Sequence, residues 1–277
     1  MKKSHLVRLS ALTGSLLFAM SAAGSAFAAE SEWFTTEGAK IRLISLPSTD
    51  GKKIDAGLQI QLDKGWKTYW RSPGASGLPP QLDFSQSSNI ATAKIDYPAP
   101  MTFGNDDNLT AGYDFPVTFP ITIDPLFSGR PVNLRVAGVI GICAEVCIPV
   151  QFALSLLEEG KGLSTRDIAS TLLQARTNLV GEQTKDFHVT TARVDGKTMH
   201  IEAKIPEGTK QSTALVEGPS SWYLTPARAK SIDGTKAHYE ISLKDIPADA
   251  APESTEVTVT LISDGIGVET RLTPARQ

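Results

Sequence analysis

Val139-Ile140-Gly141-Ile142-Cys143-Ala144-Glu145-Val146-Cys147-Ile148-Pro149-Val150 is the stretch on which the reading of this chain turns. It holds both cysteines of a 277-residue protein. Upstream, Val132, Leu134 and Val136 alternate with polar or small residues; downstream, Phe152, Leu154 and Leu156 do the same. A period of two marks half-buried strands. Two such strands joined by three residues predict a hairpin, with Cys143 and Cys147 facing each other at its closed end. Opposed Cβ atoms on antiparallel strands lie about 4.5–5.5 Å apart. A disulfide needs about 3.5–4.5 Å. A bond between the two is therefore expected, with some strain, and strain makes a disulfide easier to reduce.

The close spacing argues against a stability role. In the chain-entropy model a five-residue loop gains only about 2 kcal/mol, against about 4.7 for a hundred-residue loop. Thiol or redox chemistry is the favoured reading of the pair; a structural clip and thiolate metal binding are the alternatives. The spacing is C-x-x-x-C rather than C-x-x-C, and no βαβ pattern surrounds it, so a thioredoxin-type motif is not the reading.

The N-terminus carries an export signal. Lys2, Lys3 and Arg8 precede an apolar run from Leu9 to Ala23, and Ala26-Phe27-Ala28 supplies an A-x-A cleavage site. Residues 1–28 are read as a signal peptide cut after Ala28, which places the mature chain in the periplasm, where disulfides persist. No later stretch reaches the roughly 18 apolar residues of a membrane span, so no membrane insertion of the mature chain is expected. Without the three basic residues of the leader, 24 basic residues stand against 30 acidic ones, a net charge of −6. That balance disfavours nucleic acid and anionic membrane surfaces as partners.

Alternating runs fill most of the remaining chain. Ile41 and Leu43 alternate with Lys40 and Arg42, Asp50-Gly51 signals a tight turn, and Ile54, Leu58, Ile60 and Leu62 form the return. In Gly65-Trp66-Lys67-Thr68-Tyr69-Trp70-Arg71, the alternation puts Trp66, Thr68 and Trp70 on a core face and Tyr69 with Arg71 on the other, Tyr69 as an edge aromatic. Pro73-Gly74 and Gly77-Leu78-Pro79-Pro80 form a loop, either a connector or a cover over a neighbouring site. Pro98 to Asn108 is read as one long irregular loop, with Asp106-Asp107 as solvated turn residues rather than a calcium site. Ser164 or Thr165 caps one helix, in which Ile168, Leu172, Ala175 and Leu179 recur at helical spacing until Gly181. It is expected to pack on, or bridge between, two β domains.

From Asp186 onward some seven short strands, Trp222–Leu224 among them, suit a small sandwich. His188, His200 and His238 show no ligand spacing and are read as surface or edge histidines. No metal ligands and no cofactor are expected. No G-x-S-x-G elbow supports a serine nucleophile.

The ordered set Gly65-Trp66-Lys67-Thr68-Tyr69-Trp70-Arg71-Ser72-Pro73-Gly74, Ser76-Gly77-Leu78-Pro79-Pro80, Tyr97-Pro98-Ala99-Pro100, Gly112-Tyr113, Phe119-Pro120 and Cys143-Ala144-Glu145-Val146-Cys147-Ile148-Pro149 resembles the periplasmic N-terminal domain of the thiol:disulfide interchange protein DsbD. It looks closest to the ScsB-like branch, tied to copper tolerance, and covers about residues 33 to 160. The second half is similar to the second immunoglobulin-like module of that branch. The resemblance implies that Cys143 and Cys147 are the redox pair, taking electrons from a membrane reductase and passing them to periplasmic thiol proteins, with the Pro/Gly loops as a cover. The family's membrane and thioredoxin-like domains have no counterpart here, so a separate donor is expected. DsbD itself has more residues between its cysteines, and relatives often carry an aromatic where this chain has Ile140-Gly141.

The expectation is an all-β chain of two immunoglobulin-like β sandwiches with a connecting α-helix. Residues 29–162 form the cysteine-bearing domain, 163–181 the linker helix and 182–277 the second sandwich. The function expected is thiol–disulfide exchange by a protein-disulfide reductase type of oxidoreductase. The alternatives are a non-catalytic binding module with a structural disulfide and a Cu(I) carrier, for which Met101 and Met199 are thin support. Cys147, before Ile148-Pro149, is expected to be the more covered sulfur and Cys143 the open, attacking one.

Overall fold

The computed structural model describes residues 29–47, 52–128, 130–157, 165–219 and 222–276. The leader with its cut after Ala28, the Asp50-Gly51 turn and a cap at Ser164 lie outside these residues. The described chain is almost wholly β, in four sheets that form two sandwich-like domains with one helix between them.

In the first sandwich, one sheet runs Ala29–Glu30, Ala39–Pro47, Ile54–Leu62, Val117–Pro125, Ile90–Ile95, with Phe34–Thr36 added on Ala39–Pro47. The facing sheet runs Cys147–Leu157, Asn133–Cys143, Lys67–Tyr69, Thr110–Tyr113, Met101–Phe103, with Gln81–Asp83 on Asn133–Cys143. Alternation turns Ile41, Leu43, Leu58, Ile60, Phe119 and Ile121 inward from one side to meet Trp70, Tyr113, Val136, Ile140 and Phe152 from the other. At about 25 cal/mol per Å² of apolar surface removed from water, this core is what holds the hairpin in place.

The fold departs from local pattern at several points. The segment Pro98–Asn108 is not one irregular loop: Met101–Phe103 pairs antiparallel with Thr110–Tyr113, and Asp106–Asn108 forms a 3-10 turn whose Asn105 side chain accepts from the Asn108 N–H. Trp222–Leu224 is not a strand, because Trp222 folds back over Gly218, where a Cβ would lie 2.2 Å from the indole.

The helix Thr165–Thr177 buries Ile168, Leu172 and Ala175. It packs on the outer face of the first sandwich, where Ile44 points away from the core. Gly57 makes room for it, since a Cβ there would stand 2.9 Å from a Leu172 methyl. Arg176 fastens the last turn to Asp55 and, at 3.0 Å, to Thr122 Oγ1.

The second sandwich pairs the sheet Gly181–Glu182, Ile266–Leu272, Val257–Ser263, Ser212–Glu217, Ala227–Arg228 with the sheet Ser231–Asp233, Lys236–Ser242, Thr198–Lys204, His188–Asp195, Ala275–Arg276. Met199, Ile201, Tyr239, Ile241, Val259 and Leu261 fill it. The halves touch: Leu215 and Ile262 join the core cluster of the first domain. Arg71, directly after the core Trp70, donates to Glu217 Oε2 at 2.7 Å and Glu269 Oε2 at 2.6 Å across the junction. Burial opposes the charge on Arg71, but the hydrogen bonds and charges of Glu217 and Glu269 outweigh it and raise its pKa further.

Candidate redox site

Eleven consecutive residue pairs hold the cysteine hairpin in register, from Asn133 opposite Leu157 to Cys143 opposite Cys147. The two sulfurs are bonded, and the Cα atoms stand 4.1 Å apart. Ala144, Glu145 and Val146 close the turn, all exposed. Val146, at 73 % exposure, puts an apolar side chain on the tip beside the disulfide.

The two sulfurs differ in access, and in the opposite sense to the sequence expectation. Cys143 is 5 % exposed, whereas Cys147 is exposed. Strand order is the reason. Asn133–Cys143 lies inside its sheet, flanked by Cys147–Leu157 on one side and by Lys67–Tyr69 on the other, with Cys143 opposite Lys67. Cys147 opens the edge strand and has a neighbour on one side only. An edge position leaves side chain and backbone open to solvent and to an approaching chain.

Tyr69 is the residue that sequence reasoning underestimated. Instead of an edge aromatic, it is 4 % exposed and lies against the disulfide. Its hydroxyl sits 2.6 Å from Cys147 Sγ and 3.2 Å from Cys143 Sγ. Bonded sulfurs carry no hydrogen, so the phenol is the donor. Burial raises the Tyr69 pKa, which keeps that proton in place through neutral pH. Thr68, beside it, donates to the carbonyl of Gly141 at 2.9 Å and locks the strand to the hairpin.

Gly141 has a steric role here. A Cβ at this position would stand 2.6 Å from a Tyr69 ring carbon and 3.1 Å from Leu78 Cβ, so a side chain would push the tyrosine off the hairpin. The same contact packs the loop Pro73–Pro80 against the strands that carry the site: Leu78 reaches Gly141, and Gly77 lies under Tyr69 and Pro73. Phe103 adds a ring 6.2 Å from that of Tyr69, and Lys67 Nζ lies 4.8 Å over Phe103. Lys67, Tyr69 and Phe103 thus make an aromatic and cationic wall beside the disulfide. Alternation put Tyr69 opposite the tryptophans, but only the pairing of Thr68 with Ile142, 74 positions away, shows what that face meets.

The remaining candidates fall elsewhere. Asp106 pairs with Arg228 of the second half at 2.6 Å. His200 and His238 adjoin on neighbouring strands of the second sandwich, and His188 lines a surface cavity there together with His238. Among the described residues no helix is long and apolar enough to cross a membrane.

Residues 39–159 match the family described as thiol:disulfide interchange protein DsbD, N-terminal. The crystal structure of the N-terminal periplasmic domain of ScsB from Proteus mirabilis aligns with a TM-score of 0.76 at 21% identity, covering 90% of this chain and 99% of that chain. The two share a fold across both sandwiches. A BSP domain of a biofilm associated protein aligns with a TM-score of 0.23 at 11% identity, covering 90% of this chain and 51% of that chain. No curated protein matches the chain.

Proposed function

We propose that this chain, which carries the DsbD N-terminal pattern over residues 39–159, is a periplasmic thiol–disulfide exchange protein that works through Cys143 and Cys147. The observation that carries the reading is the asymmetry of the pair: an exposed sulfur at an edge strand, bonded to a buried one, under a tyrosine hydroxyl that touches both. A structural clip needs no such arrangement. In this reading residues 29–162 form the redox domain, 163–181 the linker helix segment and 182–277 a second sandwich that braces the first through Arg71.

In the dithiol form, the Cys147 thiolate attacks one sulfur of a partner disulfide. A Cys147–partner bond forms, the partner's own S–S bond breaks, and its second sulfur leaves as a thiolate. Cys143 then attacks Cys147 Sγ, re-forming the internal disulfide and releasing the partner as a dithiol. Two electrons pass to the partner, and two protons follow from solvent. The reverse sequence reloads the pair from a separate dithiol donor, whose thiolate reaches Cys147 first for the same reason of access. Tyr69 donates to the sulfur that is anionic at each stage, and its raised pKa keeps it a donor. Val146 and the wall of Phe103 and Lys67 give a partner an apolar and cationic rim to settle on.

The test is capture of the mixed disulfide, which lasts only until the second cysteine attacks. Cys143→Ala leaves the exposed Cys147 as sole attacker and should accumulate dithiothreitol-sensitive adducts on a non-reducing gel of the native host. Cys147→Ala should form few, and the double variant none. Adducts absent from both single variants, with the host's disulfide enzymes intact, reject exchange and leave a binding module with a structural disulfide. Adducts confined to Cys147→Ala keep exchange and refute the access argument.

A further inference from the structure

On the outer face of the second sandwich, side chains that the sequence keeps far apart converge. His200 lies on Thr198–Lys204, and His238 and Glu240 on the neighbouring Lys236–Ser242. The antiparallel register sets His200 opposite Glu240, and His238 opposite Glu202. On both strands the intervening residues, Met199, Ile201, Tyr239 and Ile241, are buried in the core. The period of two therefore turns His200, His238 and Glu240 to the outside together. Both histidines are half-buried and Glu240 is exposed.

The geometry is specific. His200 Nδ1 is 3.3 Å from His238 Nε2, and the rings stack with centroids 5.5 Å apart. Glu240 Oε1 stands 3.9 Å from His200 Nδ1. One donor atom from each of the three residues lies within 4.8 Å of the other two. Two imidazole nitrogens each about 2.0–2.1 Å from a tetrahedral metal ion are about 3.3–3.4 Å apart, the spacing seen here. A plain imidazole–imidazole hydrogen bond also fits that one distance, but it gives the converging carboxylate no part. Three donor atoms gathered within 4.8 Å of one another are close enough for one cation to draw them together.

We propose that His200, His238 and Glu240 form a binding site for a divalent transition-metal ion of the Zn(II) or Cu(II) class. Two imidazoles and one carboxylate are borderline donors that suit these ions over calcium or magnesium, which prefer all-oxygen shells. Three protein ligands on an open face leave a coordination position free, so the site suits reversible loading rather than a structural clamp. Arg193 lies opposite His200 on the strand His188–Asp195, and its charge limits affinity, while Glu202 beside His238 offsets it. The site is independent of the disulfide: its ligands come from another domain, and the sulfurs are bonded to each other.

The experiment is calorimetric titration of the tag-free exported chain, disulfide intact, with zinc chloride and separately with copper(II) sulfate. One ion per chain should bind, and Cu(II) should give an electron paramagnetic resonance spectrum with two coordinated nitrogens. His200→Ala and His238→Ala should each weaken binding by more than about tenfold, the lower end of what even outer-shell changes cost. Glu240→Gln should weaken it less. His188→Ala should change nothing, and the thermal midpoints of all variants should stay near that of the parent. Because the histidines are on the surface, loss of binding without loss of fold is readable. Binding that survives in a His200→Ala/His238→Ala double variant overturns the proposal. So does binding that vanishes only when Cys143 and Cys147 are both replaced by Ser, or no binding up to millimolar metal.

Discussion

Replacing Trp70 by Ala should destabilise this protein more than removing its only disulfide, and the difference can be worked from the structure. Trp70 is 0 % exposed in the core of the first sandwich, and its Nε1 meets no hydrogen-bond partner among the described residues. Truncation therefore costs packing, about 3–5 kcal/mol for a buried tryptophan. The upper part of that range is expected, since the Arg71 guanidinium stacks 4.2 Å over the indole and its bridge to Glu217 and Glu269 leans on it. The bond between Cys143 and Cys147 closes a loop of five residues, for which the chain-entropy relation gives about 2 kcal/mol. Two serines should cost no more than that. A hydroxyl at position 143 stays within reach of Tyr69 Oη, 3.2 Å from the present sulfur, so it is not stranded without a partner. With a denaturant slope of about 2 kcal/mol per molar urea, the midpoint should fall by about 1 M for Cys143→Ser/Cys147→Ser and by about 1.5–2.5 M for Trp70→Ala. Circular dichroism avoids the loss of a fluorescent reporter in the tryptophan variant. If the double serine variant unfolds at the lower urea concentration, the disulfide is a structural clip and the argument from loop length is wrong.

Three further outcomes follow from the same contacts. Tyr69→Phe removes the hydroxyl 2.6 Å from Cys147 Sγ; a hydrogen bond to a charged group contributes about 1.5–3 kcal/mol, so alkylation of the reduced protein at neutral pH should slow by about tenfold, and an unchanged rate would rule Tyr69 out as a donor to the thiolate. Arg71→Met leaves Glu217 and Glu269, both on the second sandwich, without the cation they share; discounted for side chains that are 23% and 39% exposed, the cost should be about 1–3 kcal/mol, read as urea unfolding that splits into two transitions, and one transition at an unmoved midpoint would show that the bridge does not couple the domains. Burial, opposed in part by Arg71, pushes Tyr97 from 10 up to about 12. The folded chain therefore holds a proton that the unfolded chain has lost, and stability that is complete below pH 10 should fall by up to about 1.4 kcal/mol per pH unit between 10 and 12. Urea midpoints across that window should show a shallower fall in Tyr97→Phe, and equal slopes would refute the assignment.

Much of the architecture is written in local pattern. Alternation at Ile41 and Leu43, at Leu134 and Val136, and at Leu154 and Leu156 records which side of each strand is wet, and those residues are core in the fold. The spacing of Ile168, Leu172 and Ala175 records a helix in the same way, but the helix stops at Thr177, so Leu179 lies beyond it and Gly181 opens a short strand instead of ending the helix. The two cysteines, placed symmetrically about a three-residue turn, determine the register of their hairpin by themselves. Periodicity reports a residue's own exposure but not the strand that lies beside it. That neighbour is chosen by pairings far apart in sequence, through closure of the whole sandwich. Hence only the tertiary structure decided that Cys147 sits on an edge and Cys143 inside, that Tyr69 covers the disulfide rather than an outer rim, and that Met101–Phe103 is a strand. The meeting of His200 with His238 has the same origin, for it rests on the register of two strands separated by a third of the second domain. Access, contact and ligand geometry are properties of strand order, and strand order is where the sequence pattern is silent.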